Sequence, residues 1–224
     1  MINVAIDGPA GAGKSSIARK VANKLGYIYV DTGALYRTVA LKVAKSSLTA
    51  DKVAEIEELL GVTEVGIAFV DGEQRMMLDG ADVTDSIRTP EVSMLASAVS
   101  AIPAVSAYLL NTQRRLAAEN NVLMDGRDIG TVVLPDAQIK IFLTASAEDR
   151  AQRRFDELIA KGMDVNYDDV LSDIKTRDYN DSHRAVAPLK PAPDSVLADT
   201  TGNEFEQSVA LIESIITEKL REVK

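Results

Sequence analysis

Gly8-Pro-Ala-Gly-Ala-Gly-Lys-Ser15 decides the fold of this 224-residue chain. The apolar run over residues 2–6 precedes this stretch and predicts a short buried strand. Residues 14–25 follow and predict a helix, because their apolar side chains recur on one face and Gly26 provides a stop. A strand, a glycine-rich turn and a helix in direct succession indicate one unit of a parallel α/β sheet.

The glycine-rich turn matches the pattern G-x-x-x-x-G-K-[ST], a phosphate-binding loop or P-loop. In such a loop, backbone N–H groups surround a phosphate, and the dipole of the following helix adds a favourable field. The residues predicted to hold ATP are Gly8, Pro9, Ala10, Gly11, Ala12, Gly13, Lys14, Ser15 and Ser16. We expect Lys14 to reach the β- and γ-phosphates and Ser15 to bind Mg²⁺.

The composition excludes several classes of protein. The chain has no cysteine, so disulfides, thiolate nucleophiles and zinc–thiolate sites are ruled out. A net charge of −9 argues against a broad surface for nucleic acid. The apolar runs are too short for a membrane span, and no secretory signal pattern is present. We therefore expect a cytoplasmic protein with neither a nucleic-acid nor a membrane partner. A monomer is also expected, although the composition does not decide the oligomeric state.

Apolar runs typical of buried strands recur along the chain at 27–30, 122–124, 139–143 and 195–198. Helical patterns cover 34–45 and 147–164. Together with the first strand, these runs predict a five-stranded parallel sheet flanked by helices on both faces.

Residues 65–78 interrupt this alternation with a pattern typical of a β-hairpin. The hairpin lies between a helix predicted over 50–60, with Thr49 as its N-cap, and another beginning at Thr89-Pro90. We therefore expect a single domain over 1–224 with a small inserted β-containing subdomain and a helical lid. The expected parts are a core of about 1–59, 101–146 and 165–224, an insert of about 60–100 and a lid of about 147–164.

Charged residues follow the predicted strands at the end where ligands bind. Asp125 ends the run 122–124, where a carboxylate usually orients Mg²⁺; a solvated aspartate that caps the next turn is the alternative. Arg37 ends Asp31-Thr-Gly-Ala-Leu-Tyr-Arg37, and Arg127 follows Asp125 by two residues. Because ligands of doubly wound sheets bind at the carboxyl ends of the strands, both arginines are expected to face the P-loop.

Two further sets of charged residues have helical spacing. The first set shares one face of the helix predicted at 147–161 and comprises Arg150, Arg153 and Arg154. The second, if helical, comprises Arg177, Asp181 and Arg184. The plain alternative is a solvated face with internal ion pairs, such as Glu157 with a neighbouring arginine. Because the chain as a whole is acidic, the grouping of all these arginines favours the other interpretation, a basic pocket for a phosphorylated acceptor.

These motifs make the chain similar to the bacterial cytidylate kinases, a family of nucleoside monophosphate kinases, over nearly its whole length. The P-loop is widely shared, whereas the combination of three other segments is specific. These segments are 31–37, Asp125-Gly-Arg-Asp-Ile-Gly-Thr-Val-Val133 and the Arg-Asp-x-x-Asp-Ser-x-Arg pattern over 177–184. The resemblance implies transfer of a phosphoryl group from ATP to CMP or dCMP with Mg²⁺, with the insert binding the monophosphate.

The resemblance also implies roles for individual residues. The implied substrate-binding residues are Thr32, Tyr36, Arg37, Ser97, Arg127, Asp128, Arg177 and Asp181. The implied catalytic residues are Lys14, Arg127, Arg150, Arg154 and Arg184, and the implied Mg²⁺ ligands are Ser15 and Asp125. Thr32 and Asp128 match positions at the cytosine edge, and Arg37 and Arg127 match positions that grip the acceptor phosphate. An ionised Asp128 can accept from the cytosine N4 amino group but would face the O4 carbonyl of uracil.

One position departs from the family pattern. Members usually carry an arginine where Ser106 stands in Ile102-Pro-Ala-Val-Ser106, and that arginine helps to hold the base. Ser106 either contacts the base, for example through a water molecule, or only caps or packs locally. Two functional alternatives also stay open: a kinase for another monophosphate such as UMP, and a non-catalytic nucleotide-binding regulator.

Overall fold

The computed structural model describes residues 1–70, 73–184 and 187–222. The strands in chain order are β1 (Asn3–Asp7), β2 (Ile28–Asp31), β3 (Val65–Val70), β4 (Glu73–Leu78), β5 (Ala81–Asp82), β6 (Val122–Gly126), β7 (Ile139–Thr144) and β8 (Val196–Asp199). The α-helices are α1 (Lys14–Leu25), α2 (Thr32–Lys45), α3 (Val53–Leu60), α4 (Pro90–Val99), α5 (Pro103–Glu119), α6 (Ala147–Ala160), α7 (Tyr167–His183) and α8 (Phe205–Glu222).

Five parallel strands form the main sheet in the order β2-β6-β1-β7-β8, which confirms the predicted fold class. β6 and β7 extend two and one residues beyond the predicted apolar runs, and β1, β2 and β8 are shifted by one residue toward the carboxyl end. Ladder hydrogen bonds join backbones whatever the side chains are, so the strands include the polar residues at these ends. Asp7 thus pairs in register with Gly126, and Asp31 pairs with Asp125. This register places the P-loop directly beside the segment that follows β6.

Helices cover both faces of this sheet. On one face, α1 and α8 pack together on β1 and β7, with Val21, Ile212 and Ile216 fully buried. On the other face, Val30 of β2 and Met124 of β6 pack against α5 and a π-helical turn over Ile129–Val133. Burial on both faces explains why the strands are apolar throughout.

The predicted hairpin is present as β3 and β4, which pair antiparallel, and β5 adds a third strand that the sequence did not predict. The apolar side of this small sheet packs on α2, α4 and α5, so the inserted strands share a hydrophobic core with a helix of the main fold. Thr89 caps α4 as expected, accepting from Val92 N. Among the described residues, no single helix is long and apolar enough to cross a membrane, although the bent pair of α4 and α5 passes that test jointly.

Three predicted helix boundaries differ from the structure. α2 begins at Thr32 rather than at residue 34, because Asp31 is its N-cap. The helix predicted from residue 50 begins at Val53, because the Thr49 hydroxyl bonds Asp51 and the Thr49 carbonyl closes a turn by accepting from Lys52 N at 3.0 Å. The helix predicted to reach 164 ends at Ala160, since Gly162 adopts φ +76°, a left-handed conformation that stops a helix. The division into core, insert and lid stays a prediction.

Candidate active site

The P-loop lies at the carboxyl end of β1, and its backbone conformation depends on glycine. Gly8, Gly11 and Gly13 have φ values of +152°, +75° and +82°. A Cβ atom at Gly8 would lie 1.9 Å from the carbonyl oxygen of Leu143 in β7, so no other residue fits there. Gly13 has no side chain to cap α1, which leaves the first N–H groups of the helix facing the loop.

Lys14 is buried and folds back over this loop. Its Nζ donates to the carbonyl of Pro9 at 2.8 Å. Burial, together with the charge of Arg127, lowers the pKa of Lys14 to about 7, although the carboxylates of Asp125 and Asp7 oppose the shift. The neighbouring carboxylates therefore do not fully compensate the buried ammonium, and a bound phosphate would supply further negative charge.

The two predicted magnesium ligands are in contact. Ser15 Oγ donates to Asp125 Oδ2 at 2.9 Å, and Tyr29 Oη donates to Asp125 Oδ1 at 2.8 Å. Burial and the neighbouring Asp31 raise the pKa of Asp125 to about 6. A hydroxyl and a carboxylate fit Mg²⁺, which binds oxygen and takes its other ligands from water and phosphates. The alternative of a solvated aspartate at 125 is wrong, since this side chain is buried.

Asp7, which the sequence analysis missed, fixes the segment after β6. Its Oδ1 accepts from Ile129 N and its Oδ2 from Gly130 N, both at 2.8 Å. Burial raises the pKa of Asp7, although these two hydrogen bonds favour the ionised form. The carboxylate holds the turn that carries Arg127 and Asp128 beside the P-loop. The sequence contained the signal for Asp7, because it directly follows an apolar run, the same pattern that identified Asp125.

Each arginine expected to grip the acceptor phosphate is held by a carboxylate. Arg127 Nε donates to Asp181 Oδ2 at 2.7 Å, which joins the end of β6 to α7. Arg37 Nη2 donates to Asp31 Oδ2 at 3.1 Å, and Asp31 Oδ1 caps α2 by accepting from Ala34 N. Both guanidinium groups are oriented and partly exposed at adjacent strand ends, and they keep further N–H donors for a ligand.

The predicted base-recognition residues lie near one another. Burial raises the pKa of Asp128 to about 6, and the nearby charges of Arg184 and Arg127 hold it from rising further. Burial also raises the pKa of Tyr36, which lies near Asp128 and Arg184. The Thr32 hydroxyl donates to the Asp125 carbonyl at 2.7 Å. Toward a ligand it can therefore act only as a hydrogen-bond acceptor.

Ser106 lies beside this group on α5. Tyr36 Oη donates to Ser106 Oγ at 3.2 Å, and Ser106 Oγ in turn donates to the carbonyl of Ser100 at 3.4 Å. The serine therefore contacts a residue of the predicted substrate site, in addition to its local bond within the α4–α5 junction.

The three arginines of α6 do not act as one set. Arg150 is buried and bonds Asp178 of α7 through both carboxylate oxygens, at 3.0 and 2.6 Å. Arg153 forms an ion pair with Asp149 and donates through Nη2 to the carbonyl of Thr200. Arg154 forms the surface ion pair with Glu157, at 2.8 Å, that the plain alternative expected.

The other predicted residues are Ser97, Arg177 and Arg184. Ser97 and Arg177 are exposed, on α4 and α7 respectively. Arg184 directly follows α7 and donates through Nε to the carbonyl of Ala187 at 2.6 Å.

The family model described as cytidylate kinase matches residues 4–218. The chain belongs to the cytidylate kinase family. The cytidylate kinase of Caldicellulosiruptor bescii is 54% identical over 206 residues, which cover 92% of this chain and 91% of that protein. The cytidylate kinase of Carboxydothermus hydrogenoformans is 49% identical over 218 residues, covering 97% and 98% of the two chains.

A solved structure supports the fold alone. An uncharacterized protein from Eubacterium ventriosum has a TM-score of 0.53 and 13% sequence identity, covering 97% of this chain and 99% of its own. The predicted family and enzyme class, a kinase, are confirmed by the cytidylate kinase matches.

Asp31, which pairs with Arg37 within the quoted segment 31–37, had no predicted role. Three further residues of this candidate site were not predicted: Asp7, Tyr29 and Asp178. Tyr29 lies in a strand whose pattern gave only an apolar run, and Asp178 lies within the quoted motif over 177–184 but received no role. Their partners are 28 or more residues away in the chain, so their bonds depend on the tertiary fold.

Proposed function

We propose that this cytidylate kinase transfers the γ-phosphoryl group of ATP to CMP and dCMP, giving ADP and CDP or dCDP. The observation that carries the proposal is the placement of the P-loop and Arg127 at the adjacent carboxyl ends of β1 and β6. A donor phosphate on the loop and an acceptor phosphate on the arginine would then meet at one edge of the sheet.

In this reaction an oxygen of the acceptor phosphate attacks the γ-phosphorus, a new P–O bond forms, and the bond to the β,γ-bridging oxygen breaks. The electron pair of that bond leaves with ADP. Such a transfer needs alignment and positive charge more than covalent help from the protein. Lys14 contacts the β- and γ-phosphates. The arginines that surround the transferred group are Arg127, Arg150, Arg154 and Arg184. Mg²⁺, held by Ser15 and Asp125, supplies charge neutralisation when bound.

Acceptor recognition divides among three groups. Arg37 and Arg127 hold the phosphate of CMP, for which their carboxylate partners have already oriented them. Thr32 and Asp128 face the base, with Tyr36 beside them. The sugar-side residues are Ser97, Arg177 and Asp181. Gly8–Ser16 hold ATP.

An ADP-release assay with a panel of nucleoside monophosphates tests the proposal. We expect ADP to form steadily with CMP and dCMP, and the value of kcat/KM to be much lower with UMP or AMP. Higher efficiency with UMP would favour the other-acceptor alternative. ATP binding without ADP release on any monophosphate would favour the non-catalytic regulator.

Arg154→Ala is expected to lower kcat more than it raises the KM for CMP. The surface pair of Arg154 with Glu157 is about half exposed and contributes little, so the arginine can leave it as the lid closes. An arginine that arrives with closure acts mainly on the transition state. Lys161→Ala is the matched control, because Lys161 pairs with the same glutamate. A change in KM alone would assign Arg154 to ground-state binding.

Ser106→Arg is expected to lower the KM for CMP several-fold, with little change in the KM for ATP. An added guanidinium beside Tyr36 can donate one charge-assisted hydrogen bond to the base, worth ~1.5–3 kcal/mol before the cost of ordering the side chain. Tyr36→Phe separates this gain from loss of the Tyr36–Ser106 bond. Unchanged or weaker CMP binding would show that the pocket is built around serine.

A cytoplasmic location and a monomeric state belong to the same proposal. The net charge of −9 supports small phosphorylated substrates held in a local pocket over nucleic acid.

A further inference from the structure

Arg150 joins three parts of the molecule through one buried guanidinium group. Its Nη1 donates to the carbonyl of Ala10 in the P-loop at 2.9 Å, and its Nε donates to the carbonyl of Ala145 at 2.9 Å. Nη1 and Nη2 also bond the two carboxylate oxygens of Asp178 on α7. The side chain of Arg150 is 5% exposed, so solvent screens these bonds only weakly.

Asp178 continues this connection to the acceptor side. Asp181 lies three residues farther along α7, on the same helix face, and accepts from Arg127 Nε at 2.7 Å. The helix α7 therefore links two ion pairs: Asp178 with Arg150, which also bonds the P-loop carbonyl of Ala10, and Asp181 with Arg127. α7 is also attached to α6 by Val170 and Ile174 packed with Ala151, and by two exposed contacts of Glu148, with Lys175 and with Tyr167 Oη. Apolar packing and exposed pairs are less directional than a largely buried bidentate ion pair.

We propose that Asp178 is a positioning residue that couples the donor site to the acceptor site. A donor nucleotide that orders the P-loop fixes the position of the Ala10 carbonyl, and therefore that of Arg150. The ion pair of Arg150 with Asp178 then restrains α7, which positions Asp181 and its partner Arg127. This inference rests on the proposed function, in which Arg127 binds the acceptor phosphate. Because coupling between two sites is reciprocal, CMP must strengthen donor binding by the same factor.

Calorimetric titration of CMP, with and without saturating β,γ-imido-ATP and Mg²⁺, measures this coupling in the full chain. We expect the wild-type protein to bind CMP at least fivefold more tightly when the ATP analogue is present. In Asp178→Asn the ratio should fall below twofold, because an amide cannot accept both guanidinium bonds. Asp178→Glu, which keeps the carboxylate, should retain more of the ratio than Asp178→Asn does.

Asp173→Asn is the matched control, since it removes one exposed carboxylate from the same helix and should keep the wild-type ratio. Thermal melting checks that each variant is folded. If Asp178→Asn does not fold, Arg150→Lys and Asp178→Glu carry the test, since lysine keeps the charge but cannot bond Ala10 and both carboxylate oxygens as a planar fork.

An unchanged ratio in Asp178→Asn would overturn the inference. So would equal losses of CMP affinity with and without the analogue, which would mean that Asp178 only shapes the acceptor site. A wild-type ratio near one would also overturn it. These outcomes differ from failure of the proposed function, in which the wild-type protein binds no CMP and releases no ADP, and which would remove both proposals together.

Discussion

Replacing Lys14 by alanine is expected to lower kcat about a hundredfold, ~2.7 kcal/mol, by comparison with loss of one preorganised charge-stabilising donor elsewhere. The ammonium is already buried against the Pro9 carbonyl, where burial lowers its pKa to about 7. It therefore gains most from a phosphate as negative charge grows on the β,γ-bridging oxygen. The coupled ADP assay at saturating ATP and CMP measures the loss.

The fold should survive this change, because the removed side chain is a poorly compensated buried cation. Thermal melting tests that point. Lys20→Ala is the control: Lys20 lies on the same helix, but its Nζ bonds Glu206 at the surface, so kcat should not change. A Lys14→Ala variant that keeps more than about a tenth of the wild-type kcat, a loss under ~1.4 kcal/mol, would show that Lys14 is not the phosphate clamp.

The second large effect is expected at Asp128, where asparagine should shrink the ratio of kcat/KM for CMP to that for UMP by at least tenfold, ~1.4 kcal/mol. The aspartate accepts from the cytosine amino group, whereas asparagine can turn its own amide donor toward the O4 of uracil. The same rate assay with both monophosphates gives the ratio. Asp136→Asn, at an exposed position in the following turn, is the control. An unchanged ratio would place base recognition elsewhere.

The wild-type ratio should also depend on pH. Because burial raises the pKa of Asp128 to about 6, the carboxylate is ionised above that pH and becomes protonated as the pH falls through it. Preference for CMP should therefore weaken as the pH falls below about 6. In Asp128→Asn, which lacks the titrating carboxylate, the smaller ratio should not change over this pH range. The ratio cancels the titration of the substrate phosphates, whose second pKa is near 6 for both nucleotides.

The parallel sheet and the P-loop could be predicted because their signals are local. An apolar run, a glycine pattern and a helical face each lie within about 25 residues, and α1 begins and ends where the pattern placed it. The Thr49 cap failed because its hydroxyl had a competing partner, Asp51, that also lies nearby but favours a turn. Local pattern cannot decide between two such partners.

The positions of charged side chains could be predicted only in part. Ser15 and Asp125 meet because strand register brings β1 and β6 together, and the sequence placed Asp125 at a strand end and Ser15 at the start of the helix that follows β1. Arg150 instead pairs with Asp178 across the α6–α7 contact, and helical spacing alone could not predict that pair. Spacing tells which residues share a face, while the neighbouring element decides what that face meets.

The packing of α8 on α1 has a consequence for how the protein folds. The helix that begins at the P-loop is covered by Val209, Ile212 and Ile216, which lie at the far end of the sequence. Closing so long a loop costs entropy before the apolar contacts are gained, and high contact order slows folding. During synthesis, α1 therefore waits for its apolar cover until Phe205–Glu222 has left the ribosome, so the nucleotide loop is among the last parts of the chain to reach its native stability.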